Sequence, residues 1–150
     1  MKILFVCTAN VCRSALAEVV LRKKLHERGL DSVEVVSAGV HNYEGMPRDE
    51  TMVAFARKAG YEMGGYARYI SDDMLDADLI ICMEHFHVVE MQKRLPYARW
   101  NRIHRFNEIC FGEKTNMPDP SGNTDYIYQY NRERIEAGCD SLIIKLSKRI

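Results

Sequence analysis

The sequence predicts an α/β fold: a single domain with a four-stranded parallel sheet and helices on both faces. Three observations predict it. Short β-rich apolar runs alternate with longer stretches of helical apolar spacing, as in a parallel sheet covered on two sides. The chain has 150 residues, enough for one domain, spanning 1–150, that buries a core without staples. Its composition, 47% hydrophobic and 28% charged, excludes a disordered tail, a collagen and a disulfide-framework miniprotein.

The elements follow in order. Ile3 to Val6 is a continuous apolar run, too short for a helix, and reads as a buried strand. Arg13 to Arg28 reads as a helix, with Leu16, Val19, Val20 and Leu25 at helical spacing, Arg22, Lys23 and Lys24 opposite, and Gly29 as the stop. Val33 to Val36 is a second strand, followed by Ser37-Ala38-Gly39. Thr51 to Ala59 is a second helix, closed by Gly60. Leu79 to Cys82 is a third strand, and Glu84 to Arg94 a helix stopped before Pro96. Ile103 to Phe106 is a weaker fourth strand. Gly and Pro crowd the loop from Gly112 to Asn123. The last helix spans about Asp125 to Ser147, with Ile127, Tyr130, Ile135, Cys139, Leu142, Ile143 and Leu146 on one face.

Several function classes are excluded at this level. No apolar run approaches the ~18 residues of a membrane span, and the opening MKILFV is too short for a secretory core. The expected location is cytoplasmic, with no membrane partner. Twenty-one basic and 21 acidic side chains cancel, which argues against binding nucleic acid by bulk charge. Five scattered cysteines, with no C-x-x-C, read as free thiols. Cys82 with His85 and His87 is the nearest approach to a metal cluster, but no second Cys/His pair lies nearby. Neither a metal nor a cofactor is expected.

Parallel α/β sheets bind ligands beyond the carboxyl ends of their strands. The loop leaving the first strand reads Cys7-Thr8-Ala9-Asn10-Val11-Cys12-Arg13-Ser14, and the helix follows at once. A helix N-terminus presents unsatisfied N–H groups and positive potential, so this is a phosphate loop between first strand and first helix. The same field favours the thiolate of a cysteine placed there, and Cys7 is so placed. Arg13 can fold back and offer two donors to a bound phosphate. Ser14 can donate its hydroxyl to the thiolate, and Asn10 tolerates the positive φ that inward-turned amides need. Cys-x5-Arg alone is a weak signal, and the alternative is a buried strand-end cysteine beside a surface arginine. The flanking strand and helix favour the phosphate loop.

The string V-C-T-A-N-V-C-R-S resembles the phosphate loop of the low molecular weight protein tyrosine phosphatases, V-C-x-G-N-x-C-R-S-P. Ser37-Ala38-Gly39, Ala67-Arg68, Asp78-Leu79-Ile80, Met83-Glu84 and Pro118-Asp119-Pro120 resemble further landmarks of that family, over nearly the whole chain. Asp119, stiffened between two prolines, reads either as a plain turn residue or as a proton donor. The resemblance implies the donor. It implies a metal-independent hydrolysis of phosphotyrosine or aryl phosphate monoesters through a phosphocysteine on Cys7. Arg13 and the loop amides of Thr8 to Ser14 hold the phosphate, and Asp119 acts as acid and then base. The implied partners are a phosphotyrosine-containing protein or small aryl phosphate, and inorganic phosphate in the loop. A chain of this type stands alone as a monomer.

Cys12 reads as a small apolar residue under the loop or as a thiol that captures an oxidised Cys7; the resemblance favours the second. Tyr43 matches the family's aromatic cleft wall. Val11 is similar to the tyrosine-directed members, whereas arginine-phosphate-directed members carry threonine there. The chain departs from the pattern at Ala9 for glycine, Ala15 for proline and Ser121 where many members have an aromatic. Gly65 stands where many carry a histidine that braces the loop asparagine, so that brace is missing. Three other readings share the loop. An arsenate reductase needs a relay of further cysteines, of which only Cys82 stands after the third strand. A phosphotransferase cysteine domain has no call for both Arg13 and Asp119. A phosphate-binding or redox-sensing module would bind without turnover.

Overall fold

The structure, a computed structural model, describes residues 1–148. The last two positions of the expected 1–150 domain lie outside the described residues. Four parallel strands, β1 (Lys2–Cys7), β2 (Glu34–Gly39), β3 (Leu79–Cys82) and β4 (Ile103–Arg105), form one sheet in the order β2-β1-β3-β4. The helices are α1 (Arg13–Glu27), α2 (Glu50–Lys58), α3 (His85–Gln92), α4 (Phe106–Phe111) and α5 (Asp125–Ser147).

Successive side chains of β1 point to opposite faces, and the core divides accordingly. Ile3 and Phe5 pack with Leu16, Val20 and Leu21 of α1 and Ile135, Leu142 and Leu146 of α5. Leu4 and Val6 pack on the other face with Ile80, Met91 of α3 and Leu95. Helices therefore cover both faces, and the sheet order reverses at β1. That places a switch-point crevice at the carboxyl ends of β1 and β3, where Cys7 lies.

Three details differ from the sequence reading. β2 runs on to Gly39, because Ser37, Ala38 and Gly39 pair with Phe5, Val6 and Cys7 rather than stopping at the last apolar residue. The strand expected to reach Phe106 ends at Arg105, and Phe106–Phe111 forms a six-residue helix, too short to show a period. On α5 the buried stripe starts at Tyr128 and Asn131, while Tyr130 is exposed. Asn131 and Gly138 belong to the stripe but carry no apolar signal. Among the described residues, no helix is long and apolar enough to cross a membrane.

Candidate active site

The loop of residues 8–12 joins the end of β1 directly to the start of α1. Its backbone lies against β2: a Cβ at Gly39 would sit 2.7 Å from the Thr8 carbonyl oxygen and the Ala9 carbonyl carbon. Only glycine permits that approach. Asn10 has φ 61°, the one positive value at a non-glycine residue among those described, so alanine at position 9 is unstrained. The amides of Val40, His41 and Asp49 donate to the carbonyls of Cys7, Thr8 and Val11 at 3.0, 2.9 and 2.9 Å.

The loop wraps the Cys7 sulfur. The Asn10 amide points at Sγ from 3.3 Å, and Ser14 Oγ lies 2.8 Å from it. Asn10 Nδ2 donates to Ser14 Oγ at 2.8 Å and to Ser37 Oγ at 2.9 Å, and Ser37 donates to the Glu18 carboxylate at 2.8 Å. Asn10, Ser14 and Ser37 are fully buried, so this network is shielded from water.

Arg13 is buried at the mouth of the loop. Its Nη1 donates to the Met117 carbonyl and pairs with Glu84 Oε2, both at 2.8 Å, and its Nη2 lies 4.0 Å from Asp119 Oδ2. That fixation explains an arginine in a first helical turn, where the dipole opposes it. The Asp119 side chain is 54% exposed. Its Oδ1 accepts the Ser121 amide at 3.0 Å, which is the turn chemistry of Pro-Asp-Pro-Ser. Cys7, Thr8, Ala9, Val11, Cys12, Arg13, Tyr43, Met46, Asp119 and Ser121 together line a cleft of about 300 Å³. The structure thus brings Cys7, Arg13, Asp119 and Tyr43 to one place, with Asn10 and Ser14 buried behind it.

The Cys12 thiol is free and buried, and burial with Asp49 nearby pushes it well above its ordinary range. Cys82 is sealed inside β3 and likewise pushed up by burial. Cys110 is raised to about 12. All five cysteines are free. Among the described residues, no group of three His, Cys, Asp or Glu side chains could hold a metal.

The roles of two residues escaped the sequence reading, which took His87 only as part of a possible metal cluster. His87 is fully buried: its Nδ1 accepts the Glu84 amide at 3.0 Å, and Nε2 lies 2.9 Å from Thr8 Oγ1. Burial, followed by the charge of Arg13, lowers its pKa to about 3, so the ring is neutral. With Nδ1 accepting, Nε2 carries the hydrogen and donates it to Thr8. Arg48 supplies the brace that Gly65 lacks. Its Nη1 donates to both the backbone oxygen and Oδ1 of Asn10, the second at 2.9 Å, and its Nε donates to the Gly64 carbonyl at 3.2 Å. In sequence, nothing but its place before the helix-capping Asp49 marks it.

The model of the low molecular weight phosphotyrosine protein phosphatase family matches residues 2–150. The chain belongs to that family. The low molecular weight protein-tyrosine-phosphatase Etp of Escherichia coli strain K12 is 31% identical, covering 97% of this chain and 95% of that one. Among solved structures, a protein tyrosine phosphatase from Entamoeba histolytica with Hepes in its active site matches with TM-score 0.91 at 28% identity. It covers 99% of this chain and 97% of its own. The YwlE arginine phosphatase, as a mutant with a phosphorylated active-site serine, matches with TM-score 0.92 at 26% identity, over 99% and 97% of the two chains. The fold and enzyme class expected from the sequence are those of this family.

Proposed function

We propose that the protein is a metal-independent protein tyrosine phosphatase that hydrolyses phosphotyrosine and aryl phosphate monoesters through a phosphocysteine on Cys7. One observation carries the reading: Cys7 Sγ, Arg13 and Asp119 share one cleft, with Arg13 Nη2 4.0 Å from Asp119 Oδ2. The Asn10 amide and Ser14 hydroxyl stabilise negative charge on Sγ. The thiolate attacks phosphorus in line, and the bond to the leaving oxygen breaks. Arg13 and the loop amides hold the three equatorial oxygens, the positive charge that other phosphoryl-transfer sites take from metal ions. Asp119, in its acid form, protonates the departing phenolate oxygen. Asp119, now carboxylate, takes a proton from water as that water attacks phosphorus. The P–S bond breaks and returns the Cys7 thiolate with inorganic phosphate.

Tyr43, half exposed at the cleft rim, gives a substrate ring a stacking surface. The β-branched apolar Val11 lines the cleft and favours an aryl ester over the substrate of an arginine phosphatase such as YwlE. Cys12, with its high-lying thiol, is a slow nucleophile and serves first as packing beneath the loop. Condensation with a Cys7 sulfenic acid, releasing water, is the second role assigned to it.

The test is hydrolysis of para-nitrophenyl phosphate by wild type, Cys7→Ser and Asp119→Ala, with chelator present. Turnover abolished in the first variant and slowed in the second supports both roles. Phosphate binding by wild type without turnover overturns the reading in favour of a binding module.

A further inference from the structure

We propose that Arg48 is a positioning residue that fixes the direction of the hydrogen bond reaching the Cys7 sulfur; the proposal rests on Cys7 being the nucleophile. Hydrogen-bond direction is the quantity at stake, because Asn10 and the two serines could be wired either way. A serine hydroxyl can donate or accept, and an amide can turn its oxygen and nitrogen about. The ends of the chain cannot. Arg48 has only donors, and Glu18 as carboxylate has only acceptors.

From the Arg48 end, Nη1 donates to Asn10 Oδ1 at 2.9 Å, and the Arg68 amide donates to the same oxygen at 2.9 Å. An Asn10 turned about would set its NH₂ against two donors. Its oxygen is thereby committed, and both Nδ2 hydrogens face the serines. From the other end, Ser37 spends its hydrogen on Glu18 Oε1 at 2.8 Å, so its oxygen accepts one Nδ2 hydrogen at 2.9 Å. The other hydrogen goes to Ser14 Oγ at 2.8 Å. Ser14, already accepting, sends its own hydrogen to Cys7 Sγ, 2.8 Å away. One hydrogen bond to the nucleophile is thus set by donors that never touch it, of which the Arg48 guanidinium is the only side chain on the Asn10 oxygen among the described residues.

Arg48 also bonds the Asn10 backbone oxygen, which holds the loop at its positive-φ residue. Its own position is fixed on both sides. Pro47 bridges to Tyr66, and the Asp49 amide donates to the Val11 carbonyl. The guanidinium opens onto a cavity of about 710 Å³ behind the loop, lined also by Glu18, Gly64, Gly65 and Arg68. That cavity shares no lining residue with the substrate cleft, so Arg48 itself forms no wall of the cleft.

The test compares wild type, Arg48→Met, Arg48→Lys, Ser14→Ala and the Arg48→Met/Ser14→Ala double variant, all as full chains checked for cooperative unfolding. Two rates are read: iodoacetamide alkylation of Cys7 near neutral pH, located by peptide mapping, and kcat for para-nitrophenyl phosphate. Arg48→Met is expected to slow both by about tenfold, the value of one charge-assisted hydrogen bond, with a smaller change in KM. Lysine, which keeps a donor, recovers part of both rates and still reports if methionine prevents folding. In the double variant the two losses do not add, because Arg48 acts through Ser14. Unchanged alkylation in folded Arg48→Met, or losses that add fully, overturns the proposal. Alkylation needs no turnover. If wild type fails to hydrolyse while alkylation still depends on Arg48, the phosphatase reading falls and the wiring stands.

Discussion

His87 ties acid stability to the loop. The folded protein holds this imidazole at a pKa of about 3, chiefly through burial and then through the charge of Arg13. An unfolded chain holds it near 6.5, the ordinary histidine value. Between those values the unfolded state binds a proton that the folded state refuses. Stability therefore rises with pH across this window and is lost as pH falls through it. At pH 5 the gap from 6.5 is about 1.5 units, and at roughly 1.36 kcal/mol per unit the loss is about 2 kcal/mol. The assay is urea unfolding followed by circular dichroism at pH 7 and pH 5, for wild type and His87→Gln. Glutamine keeps an N–H for Thr8 and does not titrate. Its absolute stability falls, because the Glu84 amide loses its acceptor. Its pH dependence is expected to be smaller than that of wild type by about 2 kcal/mol between the two conditions. Equal acid losses in the two proteins would refute a buried neutral His87.

Glu84→Gln removes the carboxylate 2.8 Å from buried Arg13; hydrolysis of para-nitrophenyl phosphate is expected to fall by roughly tenfold or more, with weaker phosphate inhibition. Gly39→Ala drives a methyl group into the phosphate-loop backbone, and both the unfolding midpoint and kcat are expected to drop, at a cost of about 1–3 kcal/mol. Gly138→Ala meets Phe106 Cζ at 2.3 Å, and neither residue lines the cleft, so thermal unfolding is expected to fall by a similar amount while kcat holds. Tyr43→Ala removes a ring at the cleft rim, and KM for aryl phosphates is expected to rise about threefold to tenfold with little change for small alkyl phosphates.

Much of this site was legible because its chemistry is local. Cys7, Asn10, Arg13 and Ser14 lie within one strand-loop-helix unit, and helix-terminus physics marks that unit as a candidate anion site. The parallel sheet was legible from the buried runs of β1 and β3, which are apolar on both faces. Asp119 needed the family resemblance, since Pro-Asp-Pro-Ser is equally good as a plain turn. Arg48 and His87 were hidden for a different reason. Each reaches the loop from an element remote in the chain, with |i−j| of 38 and 79, and an arginine before a helix or a histidine inside one carries no local signal of that. Gly65 was the one trace of Arg48: a missing side chain next to a buried asparagine calls for a donor from elsewhere.

The supports of the loop divide by what they permit. Gly39, the Val40 and His41 amides, the Asp49 amide and Arg48 all grip backbone or Asn10 through contacts made within the protein itself. Such supports aim the donors around Cys7, and in the proposed reaction that lets an electrostatic site avoid reorganising. Arg13 is similarly held by Glu84 and the Met117 carbonyl, which leave its Nη2 turned toward Asp119. Asp119 is the contrast. Its side chain is half exposed on a Pro-rich turn and accepts the turn's own Ser121 amide, while Asn123 Nδ2 donates to the Asp119 backbone oxygen. In the proposed reaction Asp119 hands a proton to the leaving phenolate and then takes one from water, and its exposure lets that water reach it. In the mechanism proposed above, the rigid half of the site stabilises charge on phosphorus and sulfur, and the exposed half exchanges protons.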